Sequence, residues 1–279
     1  MSVEPHENAI AAQREDYRKL YDTGLAKLLS KIWGGSLHMG LFADAGEPLA
    51  AAQQRVKDRM AHDAALRPGK QVIEAACGVG TTAIHLARRY GVTVHATNIS
   101  EVQLAEARQA AAREGLSERV TFGFADYHAL DAADHAFDCW WCQEALLYAI
   151  DKRRVLEEAR RVVRPQGRIV FTDLLITRAM PESERLAFTA DLKAPEMWAI
   201  EDWDRLLADM GFAVIERHDW QKHTVTTFEN VQRALADVRD EYVGLIGAPA
   251  VEATEHRVGL QLDKARAGQL GWCFYALAA

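Results

Sequence analysis

The sequence predicts an α/β fold with a doubly wound, mostly parallel sheet of seven strands. From Gln71 onward, short apolar runs alternate with segments of helical periodicity, which is typical of parallel strands joined by helices. Right-handed crossovers then place helices on both faces of the sheet. Residues 1–68 contain no convincing strand and end at a Pro-Gly turn. We therefore expect a helical segment over 1–68 and a sheet domain over 69–279.

The composition of the chain argues against several classes of protein. The 279 residues carry a net charge of −7, and a mildly acidic chain is a poor general binder of nucleic acid or anionic membranes. No apolar run approaches the roughly 20 residues of a membrane span, and the N-terminus is too polar for a signal peptide. We expect a cytoplasmic protein that binds neither nucleic acid nor membrane. The oligomeric state stays open.

The N-terminal segment has two helical stretches separated by a different kind of sequence. ENAIAAQREDYRKLYDTGLAKLLSKIW and PLAAAQQRVKDRMAHDAAL have helical spacing, and the aromatic, glycine-bearing WGGSLHMGLF lies between them. Such a break predicts a loop that joins two helices.

The first half of the predicted sheet alternates strand and helix. QVIEAA is apolar, VTVHAT and RVTFGFA are rich in β-branched or aromatic residues, and each favours a strand. TTAIHLARRY carries its apolar residues on one helical face. EVQLAEARQAAAREG is the next helix, with Ser100 as its N-cap and Gly115 as its C-terminal stop.

The second half is less regular. FDCWWC and GRIVFTDLLI read as strands on either side of the helix KRRVLEEARRVV. A charged linker, TRAMPESERLAF, then precedes a helix closed by Gly211 and the strand FAVIERHDW. Two further helices lead to GWCFYALA, whose apolar residues predict a buried strand at the end of the sheet.

A glycine-bearing turn follows the first strand and is the first sign of a binding site. Cys77-Gly78-Val79-Gly80 precedes a helix whose free backbone N–H groups suit a polar or anionic ligand. The same pattern fits a dinucleotide-binding fingerprint or a simple strand-to-helix turn. The turn alone therefore does not choose among these alternatives.

The ends of the neighbouring strands favour a nucleoside cofactor other than NAD. Glu74 precedes the turn and can receive an ammonium group or order the loop. Asn98 stands where an NAD-binding fold usually carries an acid for the ribose. Asp126 and Tyr127 end the third strand and suit the edge and face of an adenine. Because parallel strands end at one edge, these groups are expected to meet there.

This combination resembles the class I S-adenosylmethionine-dependent methyltransferases over about residues 70–176. The resemblance rests on VIEAACGVG, ATNISEVQLAEAR, FADYHAL and FDCWWCQEALLYAIDKRRVLEEARRVVRPQGRIVFTD, in this order. WGGSLHMGLF, QEALLY and LGWCFYALA are similar to the sarcosine/dimethylglycine N-methyltransferase group and to related small-molecule enzymes of secondary metabolism. The resemblance implies a Rossmann-like fold, an N-terminal helical lid over 1–68, and acceptor-binding insertions at about 177–200 and 218–267.

The resemblance also implies a set of residues that bind S-adenosyl-L-methionine. Glu74 and the turn would hold its methionine end, Asn98 and Gln103 its ribose, and Gln143 would lie beneath the sulfonium. Two positions depart from the family, which usually has glycine instead of Ala76 and an acid instead of Asn98. The full cofactor-binding set is Glu74, Ala76, Gly78, Gly80, Asn98, Gln103, Asp126, Tyr127 and Gln143.

The acceptor side is expected to combine the lid with residues after the fourth strand. The candidate catalytic residues are Tyr21, His38, Glu144 and Tyr148. The candidate substrate-binding residues are Trp33, Trp198, Trp220 and His223, with a cation–π role for the aromatic rings. For each aromatic residue or histidine in these sets, the alternative to a functional role is ordinary packing in the core.

In-line methyl transfer needs proximity and alignment, and it needs no metal. Cys139 and Cys142 form a CxxC within a strand, where their side chains point to opposite faces. We expect both to pack in the core, as the four cysteines are too scattered for a disulfide framework.

The sequence leaves several interpretations of the methyl acceptor open. A small amine such as sarcosine or dimethylglycine is the leading one, and the carbon or oxygen of a natural product is the alternative. An amino-acid acceptor needs a cation, for which the candidates are Arg178, Arg185, Lys193 and Lys222. Two interpretations fall outside the methyltransferases. One is a cofactor-binding protein without turnover, which only Ala76 supports, and the other is an NAD(P) oxidoreductase.

Overall fold

The computed structural model describes residue 15 and residues 24–44, 46–194 and 197–279. Its strands form one sheet in the order β3-β2-β1-β4-β5-β7-β6. Strands β1 to β5 are parallel, and β7 is antiparallel to both of its neighbours. The strands are β1 (Gln71–Ala75), β2 (Thr93–Asn98), β3 (Val120–Phe124), β4 (Phe137–Gln143), β5 (Val163–Ile176), β6 (Ala213–Asp219) and β7 (Leu270–Ala278). The predicted fold class, a mostly parallel seven-stranded sheet, is confirmed.

The helices of the described residues cover both faces of the sheet and one of its ends. They are α1 (Gly24–Ile32), α2 (Leu49–Asp63), α3 (Thr81–Tyr90), α4 (Glu101–Arg113), α5 (Lys152–Val162), α6 (Glu182–Asp191), α7 (Ile200–Asp209), α8 (Thr224–Ile246) and α9 (Ala248–Arg266). Two 3₁₀ turns span Leu146–Tyr148 and Gln221–His223. None of these helices is long and apolar enough to cross a membrane.

Two elements differ from the sequence-based prediction. The closing strand β7 does not end the sheet, because it inserts between β5 and β6 and leaves β6 at the edge. This position explains its composition, since β7 is buried along almost its whole length whereas β6 is largely exposed. The charged segment after Ile176 is not a simple linker, because it contains helix α6.

The sheet separates the core into two layers. On β4, Trp140 and Cys142 belong to one layer, and Cys139 and Trp141 belong to the other. All four side chains have no exposed surface. The two cysteines therefore lie on opposite faces of the strand, as strand periodicity predicts, and both are free thiols.

A third cluster joins the N-terminal helix to the helices that follow β6. Leu28 and Ile32 of α1 pack with Val231 and Leu235 of α8. Helices α8 and α9 also pack against each other. This small helical layer lies beside the carboxyl ends of the parallel strands, where α1 and α8 both contribute to a cavity.

Candidate functional site

A cavity of about 640 Å³ lies at the carboxyl edge of the sheet. Its walls come from the turn after β1, the ends of β2, β3 and β4, the start of α4, helix α1 and the loop that follows α1. Its volume is in the range of ordinary ligand sites, and parallel sheets bind ligands at this edge. The chemistry of the wall follows from the residues that each element places there.

The turn after β1 holds three residues in the left-handed backbone region. Ala76, Gly78 and Gly80 have φ angles of +57°, +55° and +78°. A Cβ on Gly78 would meet no atom within 4 Å, so the backbone here is open to a ligand. A Cβ on Gly80 would lie 2.7 Å from the ring of Phe122. Gly78 therefore faces the cavity, whereas Gly80 permits close packing of the turn.

The residues predicted to hold a ribose lie together at the end of β2. Asn98 Nδ2 donates to Gln103 Oε1 at 2.8 Å and contacts the carbonyl oxygen of Gly78 at 3.3 Å. Both side chains are buried and line the cavity. Ser100 accepts a hydrogen bond from the backbone of Gln103 and so caps α4, as the sequence predicts. The cap and the amide pair together orient the polar groups of this wall.

The next wall comes from the loop after β3. Asp126, Tyr127 and His128 all line the cavity. Asp126 Oδ1 accepts hydrogen bonds from the backbone and the ring of His128, at 2.9 and 2.7 Å. Tyr127 donates through its hydroxyl to the carbonyl oxygen of Ala145 at 3.3 Å. Sequence reasoning missed His128, although it lies two positions after the predicted adenine-binding Asp126.

Gln143 ends β4 at the floor of the cavity. Its Oε1 accepts from Thr82 Oγ1 at 3.2 Å and from Trp141 Nε1 at 3.1 Å. Its Nε2 is buried and has no hydrogen-bond partner among the described residues. A buried donor without a partner is costly, so this amide is suited to a ligand that accepts a hydrogen bond.

Glu74 lies behind the turn and is not among the residues that line the cavity. It accepts a hydrogen bond from the backbone N–H of Ala83, and its Oε2 has no partner among the described residues. Burial raises the pKa of this carboxyl to about 8, against the opposing charge of Lys57. Its hydrogen bond to Ala83 connects it to the first turn of α3.

A histidine–carboxylate pair lies in the cavity wall, between the loop after α1 and the end of β4. His38 Nδ1 lies 2.8 Å from Glu144 Oε2, although the two residues are 106 positions apart. Trp272 Nε1 donates to the other oxygen, Glu144 Oε1, also at 2.8 Å. Glu144 has a φ of +43°, an uncommon backbone conformation for a residue other than glycine. His38, Glu144 and Tyr148 all line the cavity.

The aromatic residues predicted to bind the acceptor do not line the cavity. Trp33 packs edge-to-face on Phe228, and Trp198 packs on Trp203. Trp220 packs against Trp272, with the rings tilted and 4.7 Å between their centroids.

His223 also stays outside the cavity lining. Its Nδ1 accepts from the backbone of Phe42 at 3.3 Å, and burial lowers its pKa. Tyr21 lies outside the described residues. The described members of this set therefore pack against other side chains, and Tyr242, which no sequence signal indicated, does line the cavity.

The hydrogen-bonding groups of the cavity wall are of the chemical types that would bind S-adenosylmethionine. The amide pair Asn98–Gln103 would hold the ribose, the Nε2 of Gln143 offers a buried donor without a partner among the described residues, and Tyr127 with His128 would meet the nucleobase. The open backbone at Gly78 leaves room for a ligand to approach the turn. The described residues contain no group of three or more metal-ligating side chains.

Comparisons with known proteins agree with this chemistry. Residues 72–167 match the family described as "Methyltransferase domain". The 27-O-demethylrifamycin SV methyltransferase of Amycolatopsis mediterranei is 37% identical, covering 85% of this chain and 88% of that protein. The sarcosine/dimethylglycine N-methyltransferase of Halorhodospira halochloris is 30% identical, with coverage of 86% and 87%.

Two further comparisons concern length and fold. The glycine/sarcosine/dimethylglycine N-methyltransferase of Actinopolyspora halophila is 28% identical over 97% of this chain, which spans only 47% of that longer protein. A crystal structure described as a sarcosine dimethylglycine methyltransferase from Galdieria sulphuraria superposes with a TM-score of 0.83 at 22% identity. It covers 91% of this chain and 98% of its own, and so shows the shared fold.

Proposed function

The chain belongs to the methyltransferase-domain family, and we propose that it methylates a hydroxyl group of a small organic acceptor. It is an S-adenosylmethionine-dependent methyltransferase that acts on a small molecule. The pairing of His38 with Glu144 inside the cavity is the observation that carries the proposed choice of acceptor atom. The relative at 37% identity, named 27-O-demethylrifamycin SV methyltransferase, supports the same choice.

A hydroxyl acceptor must lose its proton as the new bond to carbon forms. The Glu144 carboxylate accepts from Trp272 on one oxygen and from His38 on the other, so His38 Nδ1 carries the proton. A neutral imidazole with a proton on Nδ1 has a lone pair on Nε2 and can act as a base there. A neutral amine has a free lone pair and needs no such base.

The mechanism assigns each wall one task. When bound, S-adenosylmethionine supplies an activated methyl group on a sulfonium. The Asn98–Gln103 pair and Gln143 orient the ligand, and burial of these groups excludes water. His38 Nε2 takes the hydroxyl proton, and Glu144 stabilises the resulting imidazolium while Trp272 holds the carboxylate.

A second candidate is N-methylation of an amino acid, which the N-methyltransferase relative supports. Lys27 and Lys31 of α1 line the cavity and are suited to a carboxylate. The four cations that the sequence suggested for this task are not among the lining residues. Two of them pair instead with neighbouring acids, Arg178 with Asp202 and Arg185 with Glu182.

The experiment is methyl transfer from labelled S-adenosylmethionine to a panel of phenols and catechols, with sarcosine and dimethylglycine in parallel. We expect turnover on a hydroxyl acceptor. The variant His38→Asn should lower kcat by about 10²–10⁴-fold, because the amide keeps the contact with Glu144 but removes the base. Binding of S-adenosylhomocysteine should stay within about twofold, since His38 lies on the acceptor side.

The matched control is His62→Asn, at a histidine whose side chain is 84% exposed outside the cavity. This variant should retain wild-type turnover. Turnover on the amines alone, with full activity in His38→Asn, would replace the hydroxyl proposal by the second candidate. Failure of the wild-type protein to bind S-adenosylhomocysteine would contradict the cofactor site itself.

A further inference from the structure

The chain makes a strained turn directly after β4, where the edge of the sheet meets the cavity. Glu144 has a φ of +43°, a conformation that a residue other than glycine adopts only at a cost in energy. A 3₁₀ turn over Leu146–Tyr148 follows at once, and Tyr148 lines the cavity. Backbone strain of this kind persists only where the surrounding structure holds the chain in place.

Two consecutive residues of β5 hold this turn. The backbone N–H of Glu144 donates to the carbonyl oxygen of Thr172 at 3.0 Å. The backbone N–H of Leu147 donates to the side chain of the next residue, Asp173 Oδ1, at 2.8 Å. The segment from Glu144 to Leu147 is therefore fixed to β5 at both of its ends, once by the backbone and once by a carboxylate.

Asp173 itself has no exposed surface and does not line the cavity. Its second oxygen, Oδ2, accepts from Trp203 Nε1 at 3.2 Å. Burial raises the pKa of this carboxyl to about 7, against the opposing charge of the buried Lys152. Apolar groups often replace buried charges without loss of stability. We therefore ask what an acceptor oxygen does at this position.

We propose that Asp173 is a positioning residue for Glu144, because its hydrogen bond to Leu147 fixes the turn that directs the Glu144 carboxylate toward His38. This inference rests on the proposed function, in which the His38–Glu144 pair removes the proton of the acceptor. The 2.8 Å contact of that pair joins residues 106 positions apart, so no local chain connection sets it. A misplacement of about 1 Å in such a pair costs about 10²-fold in rate.

Two substitutions at position 173 separate positioning from stability. Asp173→Asn keeps an oxygen for the N–H of Leu147, whereas Asp173→Leu has the same branched shape and no acceptor. Both remove the carboxylate charge near Lys152 and the acceptor of Trp203, so these losses are common to the two variants. Both should therefore unfold at lower urea concentrations than the wild-type protein.

Turnover should differ between these two variants. With a hydroxyl acceptor, we expect kcat to fall about 10²-fold in Asp173→Leu and to stay within about threefold of the wild-type value in Asp173→Asn. The affinity for S-adenosylhomocysteine should stay within about twofold in both, since the Asn98–Gln103 pair is built on β2 and α4.

A second readout does not depend on the acceptor. The ¹⁵N resonance of His38 Nδ1, assigned from the spectrum of His38→Asn, reports the contact with Glu144. It should keep its wild-type position in Asp173→Asn and shift in Asp173→Leu. The matched control is Thr254→Val on α9, which removes a buried hydroxyl that donates to the carbonyl oxygen of Ala250 at 2.9 Å, outside the cavity lining. This control should lose stability and keep both kcat and the His38 resonance.

The results that overturn the role of Asp173 are specific. Equal kcat values in Asp173→Asn and Asp173→Leu, or an unmoved His38 resonance in Asp173→Leu, would each contradict it. Turnover on amines alone would instead contradict the proposed function, and the His38 resonance would still decide the role of Asp173. Should Asp173→Leu not fold, both substitutions are compared in a Lys152→Met background, which removes the buried ammonium near position 173. The same difference between the two variants is expected there.

Discussion

The two sides of the cavity are built in different ways. On the proposed cofactor side, two hydrogen-bonded pairs join near neighbours, since Asn98 and Gln103 are five positions apart and Asp126 and His128 are two. On the proposed acceptor side, the contacts of Glu144 cross 106 positions to His38 and 128 positions to Trp272. The first side is shaped by local turns and caps. The second exists only when the N-terminal segment, β4 and β7 are assembled.

This difference predicts different responses to substitution. Changes on the cofactor side should alter ligand affinity or local backbone strain, because each turn is formed by its own residues. Changes on the acceptor side should alter turnover while cofactor affinity is retained. The following variants test that separation, starting from the largest expected effect.

Gly80→Ala should destabilise the fold by about 3 kcal/mol. The left-handed backbone costs an alanine roughly 1–2 kcal/mol, and crowding against Phe122 and Ala107 adds about as much. Urea unfolding measures the loss. The control is Gly115→Ala, at a φ of +67° with no atom within 4 Å of the new Cβ, which should show only the strain. Equal losses in both variants would mean that the close packing at Gly80 contributes nothing.

Glu144→Gln should lower kcat by about 10²-fold or more and leave the affinity for S-adenosylhomocysteine unchanged. His38 and Trp272 bond to different oxygens of the carboxylate, and an amide keeps an oxygen at only one of these two positions, so one of the two contacts is lost. Steady-state kinetics and calorimetry give the two quantities. Glu106→Gln, at an exposed residue of the cavity rim, is the control and should retain turnover. A loss of affinity equal to the loss of kcat would remove the distinction between the two sides.

Gln103→Ala should weaken the binding of S-adenosylhomocysteine several-fold, since a lost hydrogen bond costs about 0.5–1.5 kcal/mol. The variant also leaves Asn98 Nδ2 without its partner at 2.8 Å. The dissociation constant is measured by calorimetry, with kcat at saturating cofactor expected to stay near the wild-type value. Gln109→Ala, at an exposed position of the same helix, should bind normally. An unaltered dissociation constant in Gln103→Ala would exclude the assigned contact.

Ala76→Gly should stabilise the protein by about 0.5–1 kcal/mol. Alanine at a φ of +57° is strained, and glycine removes the strain at some cost in unfolded-state entropy. Urea unfolding of the ligand-free protein measures the change. Ala87→Gly, inside helix α3, is the opposite control and should destabilise by about 1 kcal/mol. Destabilisation by Ala76→Gly would show that the turn tolerates alanine without strain.

Much of the fold follows from local sequence. Apolar runs and β-branched or aromatic segments locate all seven strands, and the Ser100 cap stands where the sequence predicts it. The position of β7 inside the sheet was not predicted. An apolar strand can be buried between many different pairs of strands, so its own sequence does not identify its neighbours. The helix after Ile176 was also not predicted from the sequence. It is short and rich in charged residues, so its apolar residues show no clear helical spacing.

The candidate site divides in the same way. The predicted residues at the ends of β2, β3 and β4 all line one cavity, because parallel strands end at a common edge. Trp198 and Trp220 do not, since large aromatic residues also fill cores and the sequence does not distinguish the two uses. Trp272 gave no signal at all, because it lies within the uniformly apolar run of β7.

By itself, the sequence determined the fold class, the family resemblance and the polar groups at each strand end, since all three depend on residues close together in the chain. Only the tertiary structure decided which strand neighbours β7, which oxygen of Glu144 meets His38, and which backbone group Asp173 holds. Contacts between distant residues depend on how helices and strands pack. That packing is set by the burial of whole surfaces, which no local pattern records.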